Sequence, residues 1–264
     1  LFFASVVSLL FLLCFVLPTY AGGPGDLDPA FGKGGFVTTN FLEGNPSAIY
    51  AMALQPDGKI VVAGRGSNGS DWDFALARYD SSGSLDPTFG EGGKVLTPMG
   101  YYEVQANAVA IQADGKIVLA GQSDNFLGDT TFALVRYDPN GKLDSSFGAG
   151  GKVVAPITPG DEFAAGVAIQ TDGKIVVVGW RRVSIAERDI VLVRYNPNGS
   201  LDTTFGIGGK VLTHMGPYDS QVNALAIQVD GKIVIVGRGD TFLGDSDFAL
   251  ARYDMNGNLD PDFG

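Results

Sequence analysis

The sequence predicts an all-β protein, a β-propeller built of four-stranded antiparallel blades. Three observations predict this class: glycine occurs 38 times in 264 residues, a 58-residue unit recurs along the chain, and short apolar runs alternate with turn sequences. A fixed period of this length is typical of architectures in which each repeat stacks on its neighbours. We expect four such repeats, which could belong to a larger ring.

The chain begins with a segment unlike the rest. Residues 1–17 are almost entirely apolar, and small residues follow at Thr19 and Ala21. This pattern is typical of a secretory signal peptide over residues 1–21, whose basic start is missing because the chain begins with Leu. An uncleaved membrane anchor is the alternative, although 17 apolar residues are at the short limit for a bilayer span.

Cleavage of this segment has consequences for location and redox state. We expect an exported protein that is secreted, periplasmic or on the cell surface, with no stable membrane insertion. The one cysteine, Cys14, lies inside the segment, so no disulfide is available to the mature chain.

Three strings define the repeat. The motif L-D-x-x-F-G begins at Leu27, Leu85, Leu143, Leu201 and Leu259, always 58 residues apart. The string D-G-K-I begins at Asp57, Asp114, Asp172 and Asp230, and Arg-Tyr begins at Arg78, Arg136, Arg194 and Arg252. The propeller domain therefore covers residues 22–264, with an outer strand at 25–41 and repeats at about 42–99, 100–157, 158–215 and 216–264.

The second copy illustrates the expected strands. They are residues 106–112, 116–122, 131–138, and a fourth that contains 143–148 and resumes at 152–155. Asp114-Gly115 predicts a type I′ hairpin turn, and Pro139-Asn140-Gly141 predicts a three-residue loop closed by a left-handed glycine.

Apolar residues occur on both faces of these strands. In the second copy Val109 and Ile111 share one face, while Ala108 and Ala110 share the other. Both faces must then be covered, as they are when a sheet lies between two copies of itself. A β-helix requires a shorter period and a membrane barrel alternates apolar with polar residues, so both fit less well.

The three-residue loop predicts a cross-strand charge pair in every copy. The pairs are Arg78 with Asp86, Arg136 with Asp144, Arg194 with Asp202, and Arg252 with Asp260. We expect structural pairs that are exposed, which contribute about 0.2–1 kcal/mol each and mainly define register.

The strings L-D-x-x-F-G-x-x-G-K-V, A-I-Q-x-D-G-K-I-V-V-x-G and F-A-L-x-R-Y-D-x-N-G resemble the delta-60 repeat family over residues 25–264. The resemblance implies tandem propeller-like repeats in exported, mostly bacterial proteins with no established enzymatic activity. The chain departs from the pattern at Phe36, where a lysine is usual, and at 189–191, where F-A-L is expected. The family motif defines strands and turns, so it implies no functional residues.

Composition argues against several function classes. A net charge of -11 disfavours nucleic-acid partners, which require clustered positive charge. A single histidine, His214, and the absence of a mature cysteine or G-x-S-x-G string argue against catalysis and a metal site. A propeller hydrolase or lyase with convergent acidic residues at the channel mouth stays the alternative.

We expect no cofactor. Weak calcium binding at aspartate-rich turns, such as those of Asp138 with Asp144 and Asp254 with Asp260, is left open.

Copy-specific loops are the candidate binding elements, because a repeat scaffold can vary its loops without losing its core. They carry aromatic and basic residues that suit a protein or glycan ligand: Trp72, Tyr101, Tyr102, Phe126, Trp180, Arg181, Arg182, Tyr218 and Phe242. The competing interpretation is that each aromatic ring packs over its own blade.

Ring closure is the last sequence-level question. The repeats begin within a fourth strand at Leu27 and stop at Gly264, shortly after another has started. N-terminal residues could complete the last blade, but we expect the chain to be a fragment of a longer array.

Overall fold

A computed structural model describes Gly23 and residues 25–100, 104–124, 128–154, 156–184, 187–215, 219–240 and 245–264. The predicted signal peptide lies outside these residues. The described chain forms fifteen strands in four antiparallel sheets, which confirms the predicted all-β propeller class. No helix among the described segments is long and apolar enough to cross a membrane.

Each sheet comes from one repeat, with its strands in sequence order. Sheet one comprises β1 (Ser47–Leu54), β2 (Ile60–Ser67), β3 (Trp72–Tyr79) and β4 (Lys94–Thr97). Sheet two comprises β5 (Gln105–Ile111), β6 (Ile117–Asp124), β7 (Thr130–Tyr137) and β8 (Lys152–Val154). Sheet three comprises β9 (Glu162–Ile169), β10 (Ile175–Ser184), β11 (Glu187–Tyr195) and β12 (Lys210–Thr213). Sheet four comprises β13 (Ser220–Ile227), β14 (Ile233–Asp240) and β15 (Ser246–Tyr253).

The fourth strand is shorter than the sequence predicted. In the second copy only Leu143 bridges to Tyr137, and residues 145–148 form a turn before β8 begins. Asp144 Oδ1 accepts a hydrogen bond from the Ser146 backbone N–H at 3.0 Å, which bends the chain locally. The string L-D-x-x-F-G therefore encodes one bridge and a turn instead of an extended strand.

The Asp-Gly turn also differs from the prediction. Gly115 has φ 81°, but no described non-glycine residue has positive φ, so the predicted type I′ turn is wrong. The Gln112 N–H donates to Lys116 O at 2.8 Å, and the Gly115 N–H donates to Gln112 O at 2.9 Å. This is a three-residue loop in which only glycine enters the left-handed region, so Asp114 avoids that strain.

The glycine that ends the string D-G-K-I-V-V-x-G has a packing role. A Cβ atom on Gly121 would lie 1.9 Å from the Gln105 carbonyl oxygen of the innermost strand, where β5 carries a bulge. A backbone atom cannot move aside as a side chain can, so glycine is needed at this crossing.

The core consists of apolar layers between consecutive sheets. Val61, Leu76 and Leu119 belong to the layer between sheets one and two, and equivalent layers lie between sheets two and three and between three and four. In sheet two every residue of β6 and β7 is buried. The prediction that both sheet faces are covered is confirmed for the inner sheets.

The two ends of the stack differ from its interior. Sheet four has three described strands, and N-terminal residues, which were the alternative to a longer array, do not complete it within the described chain. The N-terminal segment instead contacts sheet one, where the Tyr79 hydroxyl donates to Thr39 Oγ1 at 2.6 Å.

Candidate functional site: the variable rim

The antiparallel strand order separates repeated from copy-specific sequence. Because neighbouring strands run antiparallel, one edge of each sheet holds the turn between its first two strands and the link between its last two. These connections carry the strings D-G-K-I and L-D-x-x-F-G. We call this edge the repeated-turn rim. The opposite edge, where β2, β6, β10 and β14 end and β3, β7, β11 and β15 begin, is the variable rim.

The predicted charge pairs lie at the repeated-turn rim and join neighbouring sheets. Arg136 Nε donates to Asp144 Oδ2 at 2.9 Å, its guanidinium lies 4.6 Å from the Phe147 ring centroid, and its NH1 donates to Pro197 O of sheet three. Arg78 and Arg194 make the same three contacts, with Asp86, Phe89 and Pro139 O and with Asp202, Phe205 and Met255 O respectively.

Burial corrects the expectation of exposed pairs. Arg78, Arg136 and Arg194 are at most 5% exposed. Arg252 pairs with Asp260 at 2.9 Å, but the described chain has no further sheet beyond it and its side chain is 21% exposed. The first three pairs therefore hold sheets together in addition to defining register.

These aspartates have lowered pKa values. A hydrogen bond from Thr88 Oγ1, with further contributions from Lys59 and Arg78, lowers the pKa of Asp86 although burial opposes it. Burial raises the pKa of Asp202, but hydrogen bonds from Thr204, Lys174 and Arg194 outweigh it and the net shift is downward. For Asp260 the Lys232 hydrogen bond is the largest of several causes that together lower the pKa to about 2.

Acid is therefore expected to destabilise the fold. A carboxyl group whose pKa is lower in the folded than in the unfolded chain stabilises the fold above the unfolded value, about 3.9, and this contribution is lost as pH falls toward the folded value. Thermal melts should give a constant midpoint from about pH 7 to 5 and a falling midpoint below about pH 4. Asp202→Asn should melt lower at neutral pH and lose less on acidification. An unchanged midpoint down to about pH 2 would contradict this prediction.

The first copy places a cation–π stack at the variable rim. The Arg65 guanidinium lies 4.2 Å from the Trp72 ring centroid and 6.0 Å from that of Tyr50. Arg65 Nε is buried and has no hydrogen-bond partner. Both aromatic rings lie close enough to stabilise this charge through cation–π contacts.

The third copy carries a larger group, which we call the copy-three cluster: Asp161, Phe163, Trp180, Arg181, Arg182, Glu187, Arg188, Asp189, His214 and Asp219. The rings of Phe163 and Trp180 stack with centroids 4.1 Å apart, and the Arg188 guanidinium lies 4.6 Å from the Trp180 ring. Trp180 thus packs against its own sheet, as the competing interpretation of the aromatics proposed.

Every arginine of the copy-three cluster has an acidic partner. The closest N···O distances are 2.7 Å for Arg181 with Asp189, 3.2 Å for Arg182 with Asp161, and 3.2 Å for Arg188 with Asp219. Arg182 is the most open of the three, with 48% of its side chain exposed. The cluster has four acidic residues for its three arginines, so it lacks the surplus of positive charge that phosphate binding requires.

The lone histidine is not isolated in the fold. Ligand atoms of Glu187, Asp189 and His214 lie within 4.8 Å of one another, and His214 Nδ1 is 2.9 Å from Asp189 Oδ1. Two carboxylates and an imidazole can ligate a divalent cation. However, Asp189 Oδ2 already accepts a hydrogen bond from Arg181.

The same group is poorly suited to acid catalysis. Burial raises the pKa of Asp189, but Arg181 and His214 outweigh it and the net pKa is lowered. A general acid at neutral pH needs a raised pKa so that it still carries its proton. Because the pKa of Asp189 is lowered, this carboxyl group is ionised at neutral pH and has no proton to donate.

The predicted binding residues divide into two sets. Trp72, Trp180, Arg181 and Arg182 lie at the variable rim. The other predicted residues, namely Tyr101, Tyr102, Phe126, Tyr218 and Phe242, lie outside the described residues.

The possible calcium turns use their carboxylates internally. Asp138 Oδ1 accepts backbone N–H groups of Asn140 and Lys142 at 2.8 and 3.0 Å, and Asp254 Oδ1 accepts the equivalent pair. Asp144, the other proposed ligand, is held by Arg136.

Sequence reasoning missed Arg65 and the acidic partners of the copy-three cluster. Arg65 lies within β2, between Gly64 and Gly66 of a repeated strand, so it carried no loop signal. His214 and Asp189 are 25 residues apart and meet only because β11 pairs with β12.

Comparisons with known proteins agree with this architecture. A family model described as "Domain of unknown function (DUF5122) beta-propeller" matches residues 55–89, 112–147, 170–205 and 228–263. No curated protein matches the chain in sequence.

Several solved structures resemble the chain at low sequence identity. A protein of unknown function from Dyadobacter fermentans is 16% identical over 85% of this chain and 70% of its own, with a TM-score of 0.53. A protein of unknown function from Bacteroides caccae is 14% identical over 81% of this chain and 65% of its own, with a TM-score of 0.47. A glucose dehydrogenase is 16% identical over 76% of this chain and 59% of its own, also with a TM-score of 0.47.

Proposed function

The chain belongs to the DUF5122 beta-propeller family, and on this premise we propose that it is an exported, non-catalytic scaffold whose variable rim binds a protein partner. The narrower assignment to delta-60 repeats, which rests on the repeated strings, is part of the proposal. The supporting observation is the separation of sequence between two rims: turns with repeated motifs hold the sheets together at one rim, and copy-specific Trp, Tyr and Arg residues lie at the other.

The residue types favour a protein over a polysaccharide. Trp, Tyr and Arg are the residues that most often dominate binding energy at protein interfaces. A sugar-binding platform needs an aromatic face open to solvent, whereas Trp180 is stacked with both Phe163 and Arg188. Arg182 and its partner Asp161 remain accessible at the edge of the copy-three cluster and can take part in polar contacts at an interface rim.

A binding comparison tests this function. The immobilised protein would be exposed to surface proteins extracted from the source cells, and in parallel to a glycan array. We expect a saturable protein partner whose affinity falls about 30-fold or more for Trp180→Ala, as at an interface hot spot. Lys142→Ala is the matched control, because Lys142 is exposed at the repeated-turn rim.

Three results would contradict the proposal. If the wild-type protein binds glycans and Trp180→Ala does not, the ligand is a polysaccharide. Equal losses of affinity for Trp180→Ala and Lys142→Ala would show that the variable rim is not the binding surface. Glycan cleavage that Asp189→Asn abolishes would favour the hydrolase or lyase alternative.

A further inference from the structure

One arginine at the variable rim lacks an acidic partner. Each of the other arginines has a carboxylate oxygen within 3.7 Å of a guanidinium nitrogen. Arg65 has neither a carboxylate nor another hydrogen-bond acceptor among the described residues. A partly buried charge without a counter-ion costs free energy. Arg65 is therefore one half of an ion pair whose other half the described chain does not supply.

The equivalent position in each later copy has a partner within the chain. This position follows the repeated glycine of the second strand, and its other occupants are Gln122, Trp180 and Arg238. Asn107 donates to the first at 2.8 Å, Phe163 stacks on the second with ring centroids 4.1 Å apart, and Asp219 lies 3.7 Å from the third. The missing partner is therefore specific to Arg65 and is not a property of the repeat.

Arg65 faces the layer between sheets one and two. Side chains alternate between the two faces of a strand, and Val61 and Ala63 of the same strand belong to that layer. Trp72 packs against the same layer from the neighbouring strand. The surroundings of Arg65 are therefore formed between two sheets that the structure describes.

Two aromatic rings position the guanidinium group. Its Cζ atom lies 4.2 Å from the Trp72 ring centroid and 6.0 Å from that of Tyr50. Aromatic rings stabilise a guanidinium without using hydrogen-bond acceptors, so its N–H groups stay available. Nε is buried, whereas the two terminal nitrogens of Arg65 are not. These two nitrogens can act as a fork of donors toward a ligand at the rim.

We propose that Arg65 binds a carboxylate of the protein partner, the side chain of an Asp or Glu residue. The guanidinium fork matches the two oxygens of a carboxylate in one plane, which gives a short and specific ion pair. Because Trp72 and Tyr50 hold the guanidinium in position, less side-chain freedom is lost when the pair forms. This inference rests on the proposed function, since it names the chemical group by which a protein partner is recognised.

A phosphate or a sugar acid fits the site less well. A phosphate monoester carries about two negative charges at neutral pH, whereas Arg65 supplies one positive charge. The other arginines at this rim already have acidic partners. A sugar acid needs an aromatic face for its ring, and Arg65 lies over a face of Trp72. A carboxylate on a peptide needs only the fork.

Peptide selection tests this inference. The immobilised full chain would be panned with a random dodecapeptide library, and we expect binders that share an Asp or Glu at one position. Replacing this acid with the matching amide should weaken binding to the wild-type chain about 30-fold. The same replacement should change binding to Arg65→Gln by about twofold or less, because the acid has no partner there.

Two further variants separate charge from geometry. Arg65→Lys keeps the charge and loses the fork, so acidic peptides should bind it about tenfold more weakly than the wild-type chain. Lys142→Ala, at the repeated-turn rim, should bind like the wild-type chain. Circular dichroism and melting midpoints check that the variants fold. The comparison of acid with amide peptides on the wild-type chain needs no variant and decides the question even if Arg65→Gln does not fold.

Several results would overturn the inference. They are a selection that yields no peptide, binders without a shared acid, and acidic binders that Arg65→Gln retains. Binding of polygalacturonate or inorganic phosphate that Arg65→Gln loses, with no peptide bound, would assign the site to a sugar acid or a phosphate. If a partner from surface extracts loses affinity with Trp180→Ala but not with Arg65→Gln, the proposed function stands and only this inference fails.

Discussion

Replacing Arg136 by alanine is expected to lower the free energy of unfolding by about 3–5 kcal/mol. The substitution removes the partner of Asp144, whose side chain is 11% exposed, and leaves a largely buried charge uncompensated. It also removes the hydrogen bond to Pro197 O and the contact with the Phe147 ring, and thereby part of the contact between sheets two and three. Urea unfolding monitored by circular dichroism measures the effect.

The matched control is Arg252→Ala. Arg252 forms the same pair and the same ring contact, with Asp260 and Phe263, but contacts no following sheet in the described chain. The loss for Arg252→Ala should be clearly smaller than the loss for Arg136→Ala. Equal losses at the two positions would show that the pair contributes only within its own repeat, which would contradict its role between sheets.

Replacing Phe147 by alanine is the second substitution with a large expected effect, a loss of about 3–5 kcal/mol. Phe147 is fully buried in the layer between sheets two and three. A Cβ atom added to Gly199 of sheet three would lie 2.9 Å from the Phe147 ring, so the ring packs directly against that turn. The neighbouring Gly148 N–H donates to Asn198 O at 2.8 Å and limits collapse of the cavity that the substitution creates.

Phe263→Ala provides the comparison for this position. Phe263 lies beneath Arg252 at 4.6 Å and has no following sheet in the described chain, so its removal should create no cavity between sheets. Chemical denaturation should therefore give a smaller loss for Phe263→Ala than for Phe147→Ala. A loss for Phe147→Ala below about 1 kcal/mol would mean that the layer refills easily, contrary to its packing.

Much of the local structure was predictable from the repeat. Strand positions followed from apolar runs between glycine-containing turns, and Arg136 was correctly placed opposite Asp144 because loop length determines register. Two local predictions were wrong for a shared reason. At Asp114-Gly115 and at residues 145–148 the same residue types allow several turn geometries, and hydrogen bonding in the fold selects among them.

The candidate site was predictable only in part. Copy-specific loops pointed to Trp72 and Trp180, but their neighbours Arg65 and Phe163 come from other strands and meet them through sheet register. The acidic partners in the copy-three cluster could not be predicted either, because they too are brought to their arginines by sheet register.

The sequence by itself determined the all-β repeat architecture, because a 58-residue period and two-faced apolar strands leave stacked sheets as the arrangement that shields them from water. Only the tertiary structure decided that the first three Arg–Asp pairs are buried between sheets, and that Trp180 is stacked between Phe163 and Arg188. The burial of a side chain depends on whether a neighbouring sheet covers it. Repeats with similar sequences differ in that covering only in the folded structure.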